Sequence, residues 1–110
     1  MRALEQCRLY GIVDLGYVAP PDVPAMTCRL IDGGIDILQL RAKKLAKREI
    51  EVLARAMLPI TRDAGVPLVI NDHLDVAAAV GSEGVHIGQD DGTVSAARAV
   101  VGPSCFVGKS

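Results

Sequence analysis

The sequence predicts an α/β fold with a parallel sheet, built from four β-α units and a fifth strand. Five short apolar runs rich in β-branched residues alternate with segments of helical character along the 110 residues. The runs are almost continuously hydrophobic, as expected of strands buried on both faces of a parallel sheet. No linker, low-complexity stretch or charge block interrupts this alternation. We therefore expect residues 1–110 to form a single domain.

The predicted elements follow from local patterns. The apolar runs place strands at residues 9–13, 35–40, 67–70, 85–87 and 105–107. Helical spacing and terminal glycines place helices at residues 21–31, 47–64, 74–80 and 94–101. The second helix has the clearest spacing, and Pro59 within it predicts a kink or an early end, because proline cannot donate the helical hydrogen bond.

Two architectures fit this order, an open doubly wound sheet or part of a (β/α)₈ barrel. The GxGxxG loop typical of dinucleotide-binding sheets does not follow the first strand. A complete barrel usually needs about 200 residues or more. Four β-α units and a fifth strand in 110 residues would make about half of a TIM barrel.

Composition argues against several functional classes. The chain is 50% hydrophobic and 23% charged with a net charge of −1, so it has no basic field for nucleic acid or anionic membranes. Glu5 and Arg8 interrupt the N-terminal segment, which is unlike a signal peptide, and no run approaches the roughly 18 apolar residues of a membrane span. Cys7, Cys28 and Cys105 form no CxxC pair, which is typical of a reduced cytosol. We expect a cytoplasmic chain.

Polar side chains follow every predicted strand. They are Asp14; Gln39, Arg41 and Lys43; Asn71 and Asp72; Gln89, Asp90 and Asp91; and Lys109 and Ser110. Because functional groups collect at the carboxyl ends of parallel strands, we expect these side chains to converge on one rim. Asp72 and Asp91 could hold Mg²⁺, and Arg41 and Lys43 could bind phosphate. This layout is the one expected for chemistry on a pyrophosphate.

The same residues also have structural interpretations. An Asn-Asp pair after a strand is typical of a turn or a helix N-cap, and Asp-Asp-Gly at 90–92 is a common turn. His86 is interpreted as a core histidine and His73 as a surface residue. Tyr10 could belong to the core or present its ring and hydroxyl to a ligand. The shared position of the polar groups at strand ends favours the functional interpretation.

Four segments resemble the thiamine-phosphate synthase family. They are LYGIVD at 9–14, GIDILQLRAK at 34–43, VPLVINDHLDVAAAVGSEGVHIGQDD at 66–91 and VGKS at 107–110. The third segment is similar to the family's central motif in order and spacing. The resemblance covers nearly the whole chain and implies the N-terminal half of a (β/α)₈ barrel.

The resemblance also implies a reaction, in which hydroxymethylpyrimidine diphosphate is joined to a thiazole phosphate, giving thiamine phosphate and pyrophosphate. It implies Mg²⁺ as cofactor, held by Asp72 and Asp91. The residues implied in binding the pyrimidine diphosphate, mainly its phosphates, are Gln39, Arg41, Lys43, Asn71 and Ser110. Tyr10 is implied as a residue that helps line the substrate pocket. In this family the diphosphate leaves before the thiazole nitrogen attacks, so charge stabilisation matters and no protein nucleophile is required.

Departures from the family pattern leave alternatives open. His73 stands where arginine is usual, Gly92 and Thr93 replace a Leu-Pro pair, and Lys109 replaces a neutral residue. The family's later lysine and thiazole-phosphate contacts would lie beyond residue 110. One alternative is a thiazole tautomerase, although Gln89 and Asp91 argue against it. Another is a non-catalytic half-barrel that pairs with its own copy, or with a complementary half, through exposed strand edges.

Overall fold

The computed structural model describes residues 4–88 and 92–110. Five strands and four α-helices alternate within these residues. They are β1 (Tyr10–Asp14), α1 (Val23–Asp32), β2 (Ile37–Arg41), α2 (Lys47–Asp63), β3 (Leu68–Asn71), α3 (Leu74–Val80), β4 (Gly84–Ile87), α4 (Val94–Val101) and β5 (Phe106–Lys109). Short 3₁₀ turns at Leu4–Gln6 and Pro20–Asp22 precede β1 and α1. None of the helices in this described part is long and apolar enough to cross a membrane.

The five strands form one parallel sheet in the order β1-β2-β3-β4-β5. A doubly wound sheet reverses its strand order at a switch point, and this sheet does not. Each helix contacts the next helix along the chain, so that the helices form a layer beside the sheet. The predicted α/β fold with parallel β-α units is confirmed, and the strand order is that of a barrel segment.

The two faces of the sheet have different surroundings. A register row on the helix-covered face contains the fully buried residues Val13, Leu40, Ile70 and Val85, and it ends at the half-buried Val107. We call the opposite face the inner face; its equivalent row is Ile12, Gln39, Val69, Gly84 and Phe106. On the inner face the side chains of β1 remain open, since Ile12 is 51% exposed and Tyr10 is 46% exposed. The hydrophobic core therefore lies between the sheet and the helices.

Of the two outcomes expected at Pro59, a kink or an early end, the early end is wrong, because α2 continues to Asp63. Proline has no N–H, so Pro59 leaves the carbonyl of Arg55 without its helical hydrogen bond. Both residues are exposed, so water can bond to that carbonyl. The buried face of the helix continues past the proline to Thr61. Packing against the sheet thus stabilises the last turn.

Four of the five described strands extend further toward their carboxyl ends than the apolar runs predict, and β4 ends at Ile87 as predicted. Asp14, Arg41, Asn71 and Lys109 are the last residues of β1, β2, β3 and β5. Strand pairing uses backbone groups and does not require an apolar side chain, which is why the hydrophobic pattern misses these ends. These four polar side chains are consequently held on the sheet itself.

Candidate functional site

A cavity of about 480 Å³ lies at the carboxyl ends of the strands. Its lining consists of Tyr10, Ile12, Asp14, Gln39, Arg41, Lys43, Asn71, Asp72, His86, Gly88 and Ser110. Seven of the eight predicted site residues are among them, and the eighth, Asp91, lies outside the described residues. Part of the rim expected from the sequence therefore lines one cavity, to which every strand or the segment after it contributes. Gln89 and Asp90 also lie outside the described residues, and Lys109 is not among the lining residues.

Strand register brings the first group of side chains together. Alternate residues of β2 face the cavity, so Gln39 and Arg41 lie on the same side. Gln39, which is 5% exposed, donates a hydrogen bond of 2.8 Å from Nε2 to the Tyr10 hydroxyl oxygen. Burial raises the pKa of Tyr10, and the hydrogen bond from Gln39 partly opposes this effect. Tyr10 thus presents a neutral hydroxyl to the cavity at physiological pH.

Two cations of the rim each lie beside a carboxylate. Arg41 Nη1 is 2.7 Å from Asp14 Oδ2, and Lys43 Nζ is 3.5 Å from Asp72 Oδ2. The hydrogen bond from the Gly16 backbone N–H, followed by the hydrogen bond from Arg41, lowers the pKa of Asp14. Partly exposed ion pairs of this kind contribute little to the stability of the fold.

Asp72 lies in a tight turn directly after β3. It is the non-glycine residue with positive φ in the described chain, at 70°, a conformation that aspartate tolerates better than most residues. Its N–H donates to the His86 carbonyl at 2.8 Å, and the His73 N–H donates to the Asn71 carbonyl at 2.9 Å. The Asn-Asp pair is thus a turn and not the helix N-cap, which is His73. This turn holds the Asp72 carboxylate at the rim.

The donor set can be tested against the magnesium that the resemblance implies. Residues 4–88 and 92–110 contain no group of three or more His, Cys, Asp or Glu side chains that could hold a metal by themselves. Mg²⁺ is usually bound by one or two carboxylates, with waters and substrate phosphates completing its coordination. Asp72, with Lys43 3.5 Å away and Arg41 in the lining of the same cavity, fits that kind of open site.

His86 departs from its sequence interpretation as a core histidine. It is half-buried, lines the cavity, and its Nε2 is 2.6 Å from the Ser110 Oγ in a hydrogen bond. The space for the ring comes from the neighbouring strand, because a Cβ at Gly108 would lie 2.9 Å from His86 Nδ1. Register decides this placement, and no local sequence signal indicates it. His73 is half-buried and is not among the residues that line the cavity.

Comparison with known proteins gives the family. The family described as thiamine monophosphate synthase matches residues 9–110. The chain belongs to this family. A thiamine-phosphate synthase of Herpetosiphon aurantiacus is 50% identical over 92 residues, which are 84% of this chain and 45% of that protein. A thiamine-phosphate synthase of a Roseiflexus species is 47% identical over 102 residues, which are 93% of this chain and 43% of that protein.

A solved structure extends the relationship to the fold. The thiamine phosphate pyrophosphorylase of Pyrococcus furiosus superposes with a TM-score of 0.79 at 26% identity, covering 94% of this chain and 50% of that protein. The chain spans about half the length of the curated relatives it matches. The expected resemblance to thiamine-phosphate synthase is confirmed, and these relatives favour it over the tautomerase alternative.

Proposed function

We propose that this chain provides the diphosphate-binding half of a thiamine-phosphate synthase, a transferase that joins hydroxymethylpyrimidine diphosphate to a thiazole phosphate. The observation that carries the proposal is the convergence of Arg41, Lys43 and Asp72 on one cavity, in a chain of this family. Two cations beside a carboxylate suit a ligand that combines a diphosphate with a divalent cation. The products are thiamine phosphate and pyrophosphate.

Each lining residue has a role in this proposal. Arg41 binds phosphate oxygens with its planar guanidinium, and Lys43 adds a mobile positive charge. Asn71 and Ser110 supply polar hydrogen-bonding groups at the rim, while Gln39 and Tyr10, joined by a hydrogen bond, line the same cavity. Together these residues stabilise the negative charge that develops on the departing pyrophosphate, and they do so without a protein nucleophile.

Mg²⁺ belongs to the same proposal, with Asp72 and Asp91 as its protein ligands. When bound, the ion would neutralise charge on the leaving pyrophosphate. The Lys43 ammonium, at 3.5 Å from Asp72, holds that carboxylate near the phosphate-binding cations before the ligand arrives. A cytoplasmic location, and the lack of nucleic-acid or membrane partners, stay predictions from composition.

We further propose that the chain is one partial-barrel domain whose open inner face is covered by the rest of a barrel. The outer edges of β1 and β5 have no strand beside them among the described residues. Such edges readily accept another strand. A complementary half or a second copy of this chain, as predicted from the sequence, would provide that cover.

Binding of hydroxymethylpyrimidine diphosphate, measured by isothermal titration calorimetry with and without MgCl₂, tests the proposed function. The informative variant is Asp72→Asn, since asparagine keeps the size of the side chain and also tolerates the positive φ. An alanine would add backbone strain of about 1 kcal/mol or more and confuse the result. We expect Asp72→Asn to lose most of the magnesium-dependent increase in affinity.

The matched control is Asp75→Asn, which removes a carboxylate from the outer ion pair with Lys47. Asp75 does not line the cavity, so its removal should leave binding unchanged. If wild-type affinity is the same with and without MgCl₂, the magnesium assignment is wrong. If the wild-type chain does not bind the diphosphate at all, the proposed function is wrong for this chain.

A further inference from the structure

We propose that Asp14 is a positioning residue, which holds the Arg41 guanidinium in place for a phosphate group. This inference rests on the proposed function, because the phosphate as ligand of Arg41 comes from it. Asp14 and Arg41 are register partners at the ends of β1 and β2. The Asp14 Oδ2 accepts a hydrogen bond from Arg41 Nη1 at 2.7 Å.

The Asp14 carboxylate is itself held by the backbone. Its other oxygen, Oδ1, accepts a hydrogen bond of 2.8 Å from the Gly16 N–H. The Leu15 N–H donates to the Arg41 carbonyl at 2.9 Å, which ties the loop after β1 to the end of β2. One oxygen therefore anchors the carboxylate to its own loop, and the second oxygen is directed to the guanidinium.

Arg41 needs such a restraint because it lies between two cavities. The second cavity, of about 380 Å³, shares Asp14, Arg41 and Lys43 with the first and continues along Tyr17 and Lys44. Arginine has a long flexible stem, and a free guanidinium could occupy either space. The bond to Asp14 keeps the guanidinium at the boundary between the two cavities.

The bond to Asp14 leaves most of the guanidinium available. Arginine has five N–H donors. Within residues 4–88 and 92–110 the Arg41 guanidinium is hydrogen-bonded to Asp14 through Nη1. The remaining donors can form the bidentate contact that phosphate accepts. A side chain that is already ordered loses less conformational entropy when the ligand binds.

Charge repulsion and positioning predict opposite changes in pyrophosphate affinity when the Asp14 carboxylate is removed, and this makes the inference testable. A carboxylate beside an anion site repels the anion, so removing its charge should strengthen pyrophosphate binding if Coulomb repulsion is its main effect. If Asp14 positions Arg41, removing the carboxylate should weaken binding. The direction of the change therefore separates the two roles.

The experiment measures the affinity of the full chain for inorganic pyrophosphate in MgCl₂ by isothermal titration calorimetry. We expect Asp14→Asn to bind about three- to tenfold more weakly, the effect of ordering one long side chain at binding. In an Arg41→Ala background, the same change should cause no further weakening. Unchanged or tighter binding by Asp14→Asn would overturn the inference.

Asp75→Asn is again the matched control. Asp75 Oδ1 accepts from the Val76 N–H at 3.0 Å and Oδ2 accepts from Lys47 Nζ at 2.9 Å, so its bonding resembles that of Asp14, away from the cavity. This variant should bind pyrophosphate as the wild-type chain does. Weakening equal to that of Asp14→Asn would assign the effect to general loss of an ion pair and overturn the inference.

A second measurement needs no ligand. Nitrogen-15 relaxation of the Arg41 side chain should show a restricted Nε–H vector in the wild-type chain and a mobile one in Asp14→Asn. Equal mobility in both would overturn the positioning role whatever the binding data show. Absence of pyrophosphate binding by the wild-type chain would instead contradict the proposed function, and the relaxation data would still decide the role of Asp14.

Discussion

The two faces of the sheet should respond very differently to the same loss of side-chain carbon. Leu40 lies on the helix-covered face and is 1% exposed, whereas Ile12 lies on the inner face and is 51% exposed. Leucine and isoleucine are isomers, so Leu40→Ala and Ile12→Ala each remove three carbons, from adjacent strands. The comparison isolates the effect of burial.

The expected costs follow from the exposed fractions. Removing three fully buried carbons costs about 2.4 kcal/mol in transfer free energy at about 0.8 kcal/mol each. A residual cavity under the helices adds to this, so that Leu40→Ala should lower the free energy of unfolding by about 3–4 kcal/mol. Ile12 is half-exposed and leaves no closed cavity, and its truncation should cost about 1 kcal/mol.

Urea unfolding of both variants and the wild-type chain, followed by far-ultraviolet circular dichroism, measures these costs. The m-value should stay constant, since neither change alters the surface exposed on unfolding by much. An Ile12→Ala cost equal to that of Leu40→Ala would refute the open inner face. If the midpoint also rose with protein concentration, a second copy of the chain would be what covers that face.

Three further predictions concern packing, reactivity and pH. A Cβ at Gly84 would overlap the Phe106 ring, so Gly84→Ala should lower the free energy of unfolding by about 1–3 kcal/mol. Adding Phe106→Leu should recover part of this loss, because the smaller side chain makes room for the Cβ. If nothing is recovered, the assigned contact is contradicted. Burial raises the pKa of the Cys105 thiol, so iodoacetamide should label exposed Cys28 well before Cys105 in the folded chain, as followed by mass spectrometry; equal labelling rates would contradict this. The hydrogen bond from Lys47 lowers the pKa of Asp75 below its usual value of 3.8. The stability that the Asp75 carboxylate contributes is therefore present above pH 3.8 and is lost as the pH falls through the lower folded-state pKa. Asp75→Asn should therefore flatten the acid limb of the urea midpoint plotted against pH, and an unchanged limb would argue against the ion pair.

Element type and order could be predicted because the relevant signals are local. The helices at Leu74–Val80 and Val94–Val101 have the bounds expected from the sequence, since a glycine follows each one and ends it. Strand ends could not be placed as well, because the apolar criterion stops at the first polar residue while backbone pairing continues. Pro59 misleads for a related reason: tertiary packing keeps α2 intact beyond it.

The candidate site divides in the same way. Polar groups after each strand predict a shared rim, because parallel strands present their carboxyl ends together. The partner of each group could not be predicted. Asp14 lies 27 residues from Arg41, and His86 lies 24 residues from Ser110. A one-residue slip in strand register would turn the Asp14 or the His86 side chain to the other face of the sheet.

The sequence by itself therefore determined the alternation of strands and helices, the polar ends of the strands and the family to which the chain belongs. Only the tertiary structure decided that Asp14 accepts a hydrogen bond from Arg41, that His86 meets Ser110, and that the inner face is open along β1. The physical reason is the range of the interactions. Side-chain chemistry within a few residues determines each element, whereas the register between distant strands determines which side chains meet.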